Sequence, residues 1–139
     1  MKKLSKNISW SELKCKDGTP YPEKWEDRGR RLAELFEDIR NLTGNFPIEV
    51  YSAYRTEEWN RKIKGARNSQ HKLGRALDLH HSVLTNNEFY EIIWTNREEL
   101  RIRGLGRYKT FIHVDIRPSD KIVVWLGSGV KDSQGKENA

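Results

Sequence analysis

The stretch FIHVDIR, residues 111–117, alternates with a period of two. Phe111, His113 and Asp115 fall on one face of an extended chain, and Ile112, Val114 and Ile116 on the other. Such alternation marks a strand with one face against a core. It also sets a histidine and a carboxylate side by side on the opposite face, an arrangement that apolar packing would not select. A second stretch, RALDLHH at residues 75–81, repeats the pattern with Ala76, Asp78 and His80 against Leu77, Leu79 and His81.

The chain around these two strands reads as alternating helices and strands. From Pro22 the apolar residues Trp25, Leu32, Leu35, Phe36, Ile39 and Leu42 recur at helical spacing, and Gly44 and Pro47 stop the run. PIEVYSAY (47–54) is a strand in which Ile48, Val50 and Ser52 oppose Glu49, Tyr51 and Ala53. TEEWNRKIKG (56–65) is a short helix capped by Thr56 and ended by Gly65. TNNEFYEIIWTNREEL (85–100) is one further helix, with Phe89, Ile92, Ile93 and Leu100 inward. RIRGLGRY, FIHVDIR and KIVVWL then form three short strands, expected as an antiparallel meander. Residues 1–20 read as a polar lead-in with one helical turn capped by Ser9 or Ser11. The fold class is α+β, a small antiparallel sheet covered by helices. Residues 1–126 make one domain, and 127–139, which lack any apolar period, are expected to be disordered.

Composition narrows the chemistry. With 139 residues and 14 aromatic side chains the chain can build a core without disulfides. Its single cysteine, Cys15, excludes an internal disulfide and any multi-cysteine zinc cluster, so a metal site must use histidine and carboxylate. No apolar run approaches the length of a membrane span, and MKKLSKNISW has a basic start with no hydrophobic segment behind it. The expectation is therefore cytoplasmic synthesis without a signal peptide and no membrane partner. A net charge of +6 suits an anionic partner as well as plain solubility. RIRGLGRYK (101–109) offers itself as a nucleic-acid strip, but the expectation is that no nucleic acid binds.

His71 precedes the strand that carries Asp78, and Gly74 frees the turn between them, so the histidine can fold back over Asp78. Two histidines and a carboxylate are a preferred ligand set for catalytic zinc, which keeps a position for water and lowers that water's pKa. The sequence offers the set once: His71, Asp78 and His113, with Asp115 close by. A lone His or Asp in a strand is commonly a solvated surface group, so spacing alone leaves both readings open.

Three blocks read in order, SAYRTEEWN (52–60), GARNSQHKLGRALDL (65–79) and GLGRYKTFIHVDIRP (104–118), resemble the M15 peptidases. These are bacterial and phage zinc enzymes, D-alanyl-D-alanine carboxypeptidases and L-alanyl-D-glutamate endopeptidases. The lead-in ISWSELKCKDGTPYPEKW (8–25) looks similar to the compact branch of the family, so the resemblance spans roughly residues 4–126. It implies a hedgehog/D-Ala-D-Ala-peptidase-like fold and one zinc per chain on His71, Asp78 and His113. It implies that Arg55 holds the scissile carbonyl oxygen or the oxyanion. Much of the family carries its catalytic carboxylate three residues before the last histidine, where this chain has Thr110. Asp115 is therefore the expected general base; orienting a ligand histidine, or pairing with Arg117, is its alternative role. Gln70, His80 and Tyr108 join Arg55 as expected substrate contacts. The resemblance further implies an endolysin-type enzyme that reaches peptidoglycan stem peptides through a separate pore. A monomer is expected, and the few residues between Asp78 and the next helix, too short for a lid, favour endopeptidase cleavage. D-Ala-D-Ala carboxypeptidase or dipeptidase action, or an inactive wall-binding or virion relative, is the alternative.

Overall fold

The computed structural model describes residues 3–130. Strands β1 (Lys3–Ser5) and β2 (Ile8–Ser9) form an antiparallel hairpin, which the polar lead-in did not suggest. Its anchor lies elsewhere: the Glu37 carboxylate accepts from Ser5 Oγ at 2.6 Å, Asn7 N at 2.7 Å and Asn7 Nδ2 at 2.7 Å. The expected helical turn follows as α1 (Trp10–Leu13), where the Glu12 carboxylate accepts from Ser9 N.

A single 3-10 turn (Glu23–Trp25) leads into α2 (Glu26–Leu42), whose Leu32, Leu35, Phe36 and Ile39 are buried. Leu42, expected on that stripe, is exposed. Next come β3 (Ile48–Ser52), α3 (Glu57–Lys62), a 3-10 helix (Gln70–Leu73) and β4 (Ala76–His81). Thr56 caps α3 as expected, its hydroxyl accepting from Trp59 N. The helix expected over 85–100 is two, α4 (Asn86–Thr95) and α5 (Arg97–Leu100), broken at Asn96, whose side chain donates to Ile92 O. Strands β5 (Gly104–Arg107), β6 (Ile112–Asp115) and β7 (Val123–Leu126) complete the chain.

Five strands make one sheet in the order β3-β4-β6-β5-β7. The neighbours from β3 to β5 pair antiparallel, but β7 runs parallel to β5, so the expected meander holds only for β5 and β6. The segment after β6 crosses back to the start of β5, where Val123 N donates to Arg103 O. The result is α+β, with a mixed sheet beside the small hairpin.

Register gives the two faces of the sheet opposite characters. One row carries Leu77, Val114 and Leu105, all fully buried, and Leu79 and Ile112 sit beside it. These join Phe36, Ile39, Phe89 and Ile93 in the core. Each such side chain contributes about 1.5–3 kcal/mol through burial. The other face carries Asp78 opposite His113 and Ala76 opposite Asp115. A bulge between Val50 and Ser52 turns Ser52 from the core face to this one, opposite Asp78. Strict alternation along PIEVYSAY had placed Ser52 with Ile48 and Val50.

Of the tail expected to be disordered from residue 127, Gly127 and Val130 take part in a hydrogen-bonded turn. Residues 131–139 lie outside the described part.

Candidate metal centre

His71, Asp78 and His113 meet on the polar face of the sheet, each offering one ligand atom within 4.8 Å of the others. All three are buried. Two arrive from paired strands, because the β4–β6 register sets Asp78 directly across from His113. The third comes from the 3-10 helix before β4. There the Ser69 hydroxyl accepts from His71 N, and Gly74 at φ 68° lets the chain turn into the strand.

The hydrogen bonds around the two imidazoles fix which nitrogens face inward. His71 Nδ1 lies 2.6 Å from Ala53 O, an acceptor, so it must donate and leave Nε2 inward. His113 Nε2 lies 2.7 Å from Asp115 Oδ2 and likewise donates, leaving Nδ1 inward. Both inward nitrogens point at one oxygen, Asp78 Oδ1, at 3.1 Å and 3.0 Å. In neutral imidazoles they present lone pairs to a carboxylate, which repel unless a proton or a metal cation lies between. Burial pushes the His71 pKa down, against the pull of Asp78, so protonation is not the favoured remedy there. Burial also acts downward on His113, but hydrogen bonds to Asp115 and Asp78 outweigh it and raise its pKa. Asp78 is held well below the usual carboxylate range: burial acts upward and is overcome by the two histidines. A divalent cation bound by these three groups satisfies every one of the converging lone pairs, and the donor set is one that zinc favours.

The supporting carboxylate is Asp115, fully buried. Its Oδ2 takes the His113 bond and one from Arg117 Nη2 at 2.7 Å, while Oδ1 accepts from Arg117 N and Nε. A general base needs an oxygen turned to the reacting water, and both oxygens of Asp115 are engaged behind the ligand histidine. These bonds are those of the orienting role, one of the two roles expected of Asp115. Gly104 sits opposite Asp115 and Gly106 opposite His113. A Cβ at Gly104 would lie 2.0 Å from Asp115 Oδ2, and one at Gly106 would lie 2.5 Å from the Trp125 ring. The two glycines of GLGRY thus serve the site by leaving space for a carboxylate and an indole.

Arg55 supports the other end. Its Nη2 lies 3.3 Å from Asp78 Oδ2, Nη1 3.2 Å from Asn60 Oδ1 and Nε 3.1 Å from Ser52 Oγ. The oxygen of Asp78 that Arg55 holds is the one the histidines do not use. Arg55 also lines a cleft of about 520 Å³ over the three ligands, as do Gln70, Tyr108, Phe111, Arg117 and Trp125. Of the expected contacts, Gln70, Tyr108 and Arg55 therefore reach the cleft. His80 does not: it stacks on Tyr51 and binds Thr110 O through Nδ1. His81 is structural, its Nδ1 accepting from Val83 N and Leu84 N. Within RIRGLGRYK, Gly104–Arg107 form a buried strand, and Arg101 and Lys109 at its ends are exposed.

The family model described as Peptidase M15 matches residues 5–115, which include all three ligands and Asp115. The chain belongs to the M15 peptidase family. No curated protein matches it. As an M15 peptidase with this donor set, it is a metallopeptidase by family, and zinc is the metal on which that family depends. Among the described residues no helix is long and apolar enough to cross a membrane.

Proposed function

We propose that this M15 peptidase hydrolyses peptide bonds in peptidoglycan stem peptides, with endopeptidase cleavage of the L-Ala–D-Glu type favoured. The observation that carries the proposal is the open cleft with His71, Asp78 and His113 on its floor. A zinc ion held by His71 Nε2, Asp78 and His113 Nδ1 would polarise the scissile carbonyl and acidify a water. Asp115 holds the His113 ring in the tautomer that keeps Nδ1 inward. Arg55 fixes Asp78 and, as a cleft-lining guanidinium with N–H groups beyond its three bonds, donates to the carbonyl oxygen as it gains charge. Trp125, Tyr108 and Phe111 form an aromatic wall for the substrate backbone, with Tyr108 stacked on Phe111 at 4.5 Å and Trp125 Nε1 donating to Tyr108 Oη.

An endolysin role fits this reading: a monomer acting on the wall after release through a separate pore. One observation favours a second reading, a wall-binding relative without turnover. Asp78 is the only carboxylate among the residues lining the cleft, so none is left over to take a proton from water. Digesting purified peptidoglycan with zinc-loaded protein and weighing the products separates the two. New fragments ending in L-Ala and beginning with D-Glu are expected. Release of D-alanine alone would replace the endopeptidase reading with a carboxypeptidase one. Wall binding without any new fragment would support the inactive relative.

A further inference from the structure

One wall of the cleft carries a cation that the metal chemistry does not use. Lys64 lines the cleft and is exposed, and no carboxylate pairs with it among the described residues. The other two basic side chains lining the cleft are committed, Arg55 to Asp78 and Arg117 to Asp115. Lys64 sits at φ 60°, a conformation that glycine adopts without strain, so the chain keeps a side chain there against its backbone preference.

That wall is also tied to the metal ligands. Arg55, bonded to Asp78, donates to Asn60 Oδ1, and buried Asn60 in turn donates from Nδ2 to Ala66 O at 2.9 Å. Gly65 N donates to Asn60 O at 2.8 Å. The backbone that carries Lys64 is therefore tied through Asn60 and Arg55 to Asp78, and Lys64 lines the cleft over the ligands. Further along the same wall, Gln70 Oε1 is buried with no hydrogen-bond partner among the described residues. A buried carbonyl of this kind needs a donor, and a peptide N–H supplies one.

We propose that Lys64 is a specificity residue that pairs with a free carboxylate on the substrate residue beside the scissile bond, while Gln70 accepts a peptide N–H of the same substrate. The inference rests on the peptidase reading above and names its substrate class: peptides with an unblocked carboxylate, in preference to the carboxamide.

Two stem peptides that differ only there, α-carboxylate against α-carboxamide, test it with zinc-loaded protein. The wild type should show a KM roughly tenfold lower for the carboxylate. Lys64→Met should abolish that preference through KM rather than kcat, and Lys64→Arg should restore it. A preference unchanged in Lys64→Met overturns the inference and leaves the peptidase reading standing. If neither peptide is cleaved, that reading fails, and calorimetric binding of the same two peptides still tests Lys64. Tighter carboxylate binding that Lys64→Met removes upholds its role; equal binding of both peptides overturns it.

Discussion

The two faces of the β4–β6 ribbon are built from alternate residues of the same strands, yet they are held by different physics. On one face Leu77, Val114 and Leu105 pack into a continuous apolar core. On the other, Asp78, His113 and Asp115 are also buried. Asp115 is held by His113 and Arg117 and Asp78 by Arg55, while the inward ring nitrogens and Asp78 Oδ1 converge on one point. Burial of the first is favourable in itself; burial of the second is tolerable only because Arg55, Arg117, Ala53 O and a cation complete it. The first face should therefore govern stability and the second metal affinity, with little exchange between them.

The sharpest way to break that division is to truncate both faces. Leu105→Ala should lower stability by about 2–5 kcal/mol in denaturant unfolding while zinc still binds. His113→Ala should remove zinc binding altogether, with a smaller change in the unfolding of the chelated protein. Equal stability losses in the two chelated proteins would erase the distinction.

A finer test asks whether Asp115 orients or catalyses. Asp115→Asn should weaken zinc roughly 10–100-fold, measured by competition with a chromophoric chelator, and activity should recover when zinc is supplied in excess. Full zinc occupancy with activity still lost would restore the general-base role.

The smallest expected effect lies in pH. His113 has a raised pKa, so in the metal-free protein it keeps its proton above the ordinary imidazole value of about 6.5. That proton stabilises the metal-free fold below the unfolded value, and the contribution is lost as pH rises through the folded one. Zinc must displace the proton, so affinity should climb about tenfold per pH unit up to the raised pKa and then level off. Zinc titrations at several pH values would show the break, and a flat profile through neutrality would contradict a raised His113 pKa.

Much of this was legible in the sequence, for reasons that can be named. The period-two pattern of FIHVDIR and RALDLHH placed His113, Asp115 and Asp78 on polar faces, because alternation maps directly onto the two sides of a strand. The pairing that brings Asp78 opposite His113 is a non-local register, which periodicity leaves open. The bulge that turns Ser52 toward Arg55 adds one residue without a composition signal. For Asp115 the sequence offered two roles, base or orienting partner of a ligand histidine and Arg117; the bonds formed here are those of the second, with Arg117, two residues on, wrapping its carboxylate. The pair of glycines in GLGRY was a usable clue, since glycine at alternate strand positions marks a close approach on one face. His80 shared that alternation but lies beyond the cleft, beside Tyr51.

The central claim is that two imidazoles and Asp78 converge to hold one metal ion. Elemental analysis of protein purified without chelator, beside folded His71→Ala and His113→Ala variants and a His80→Ala control, tests it most directly. About one zinc per chain in the wild type and in His80→Ala, lost in the other two, is the expected result. A wild type that takes up no zinc even when it is added, or His71→Ala and His113→Ala variants that retain it, would contradict the claim.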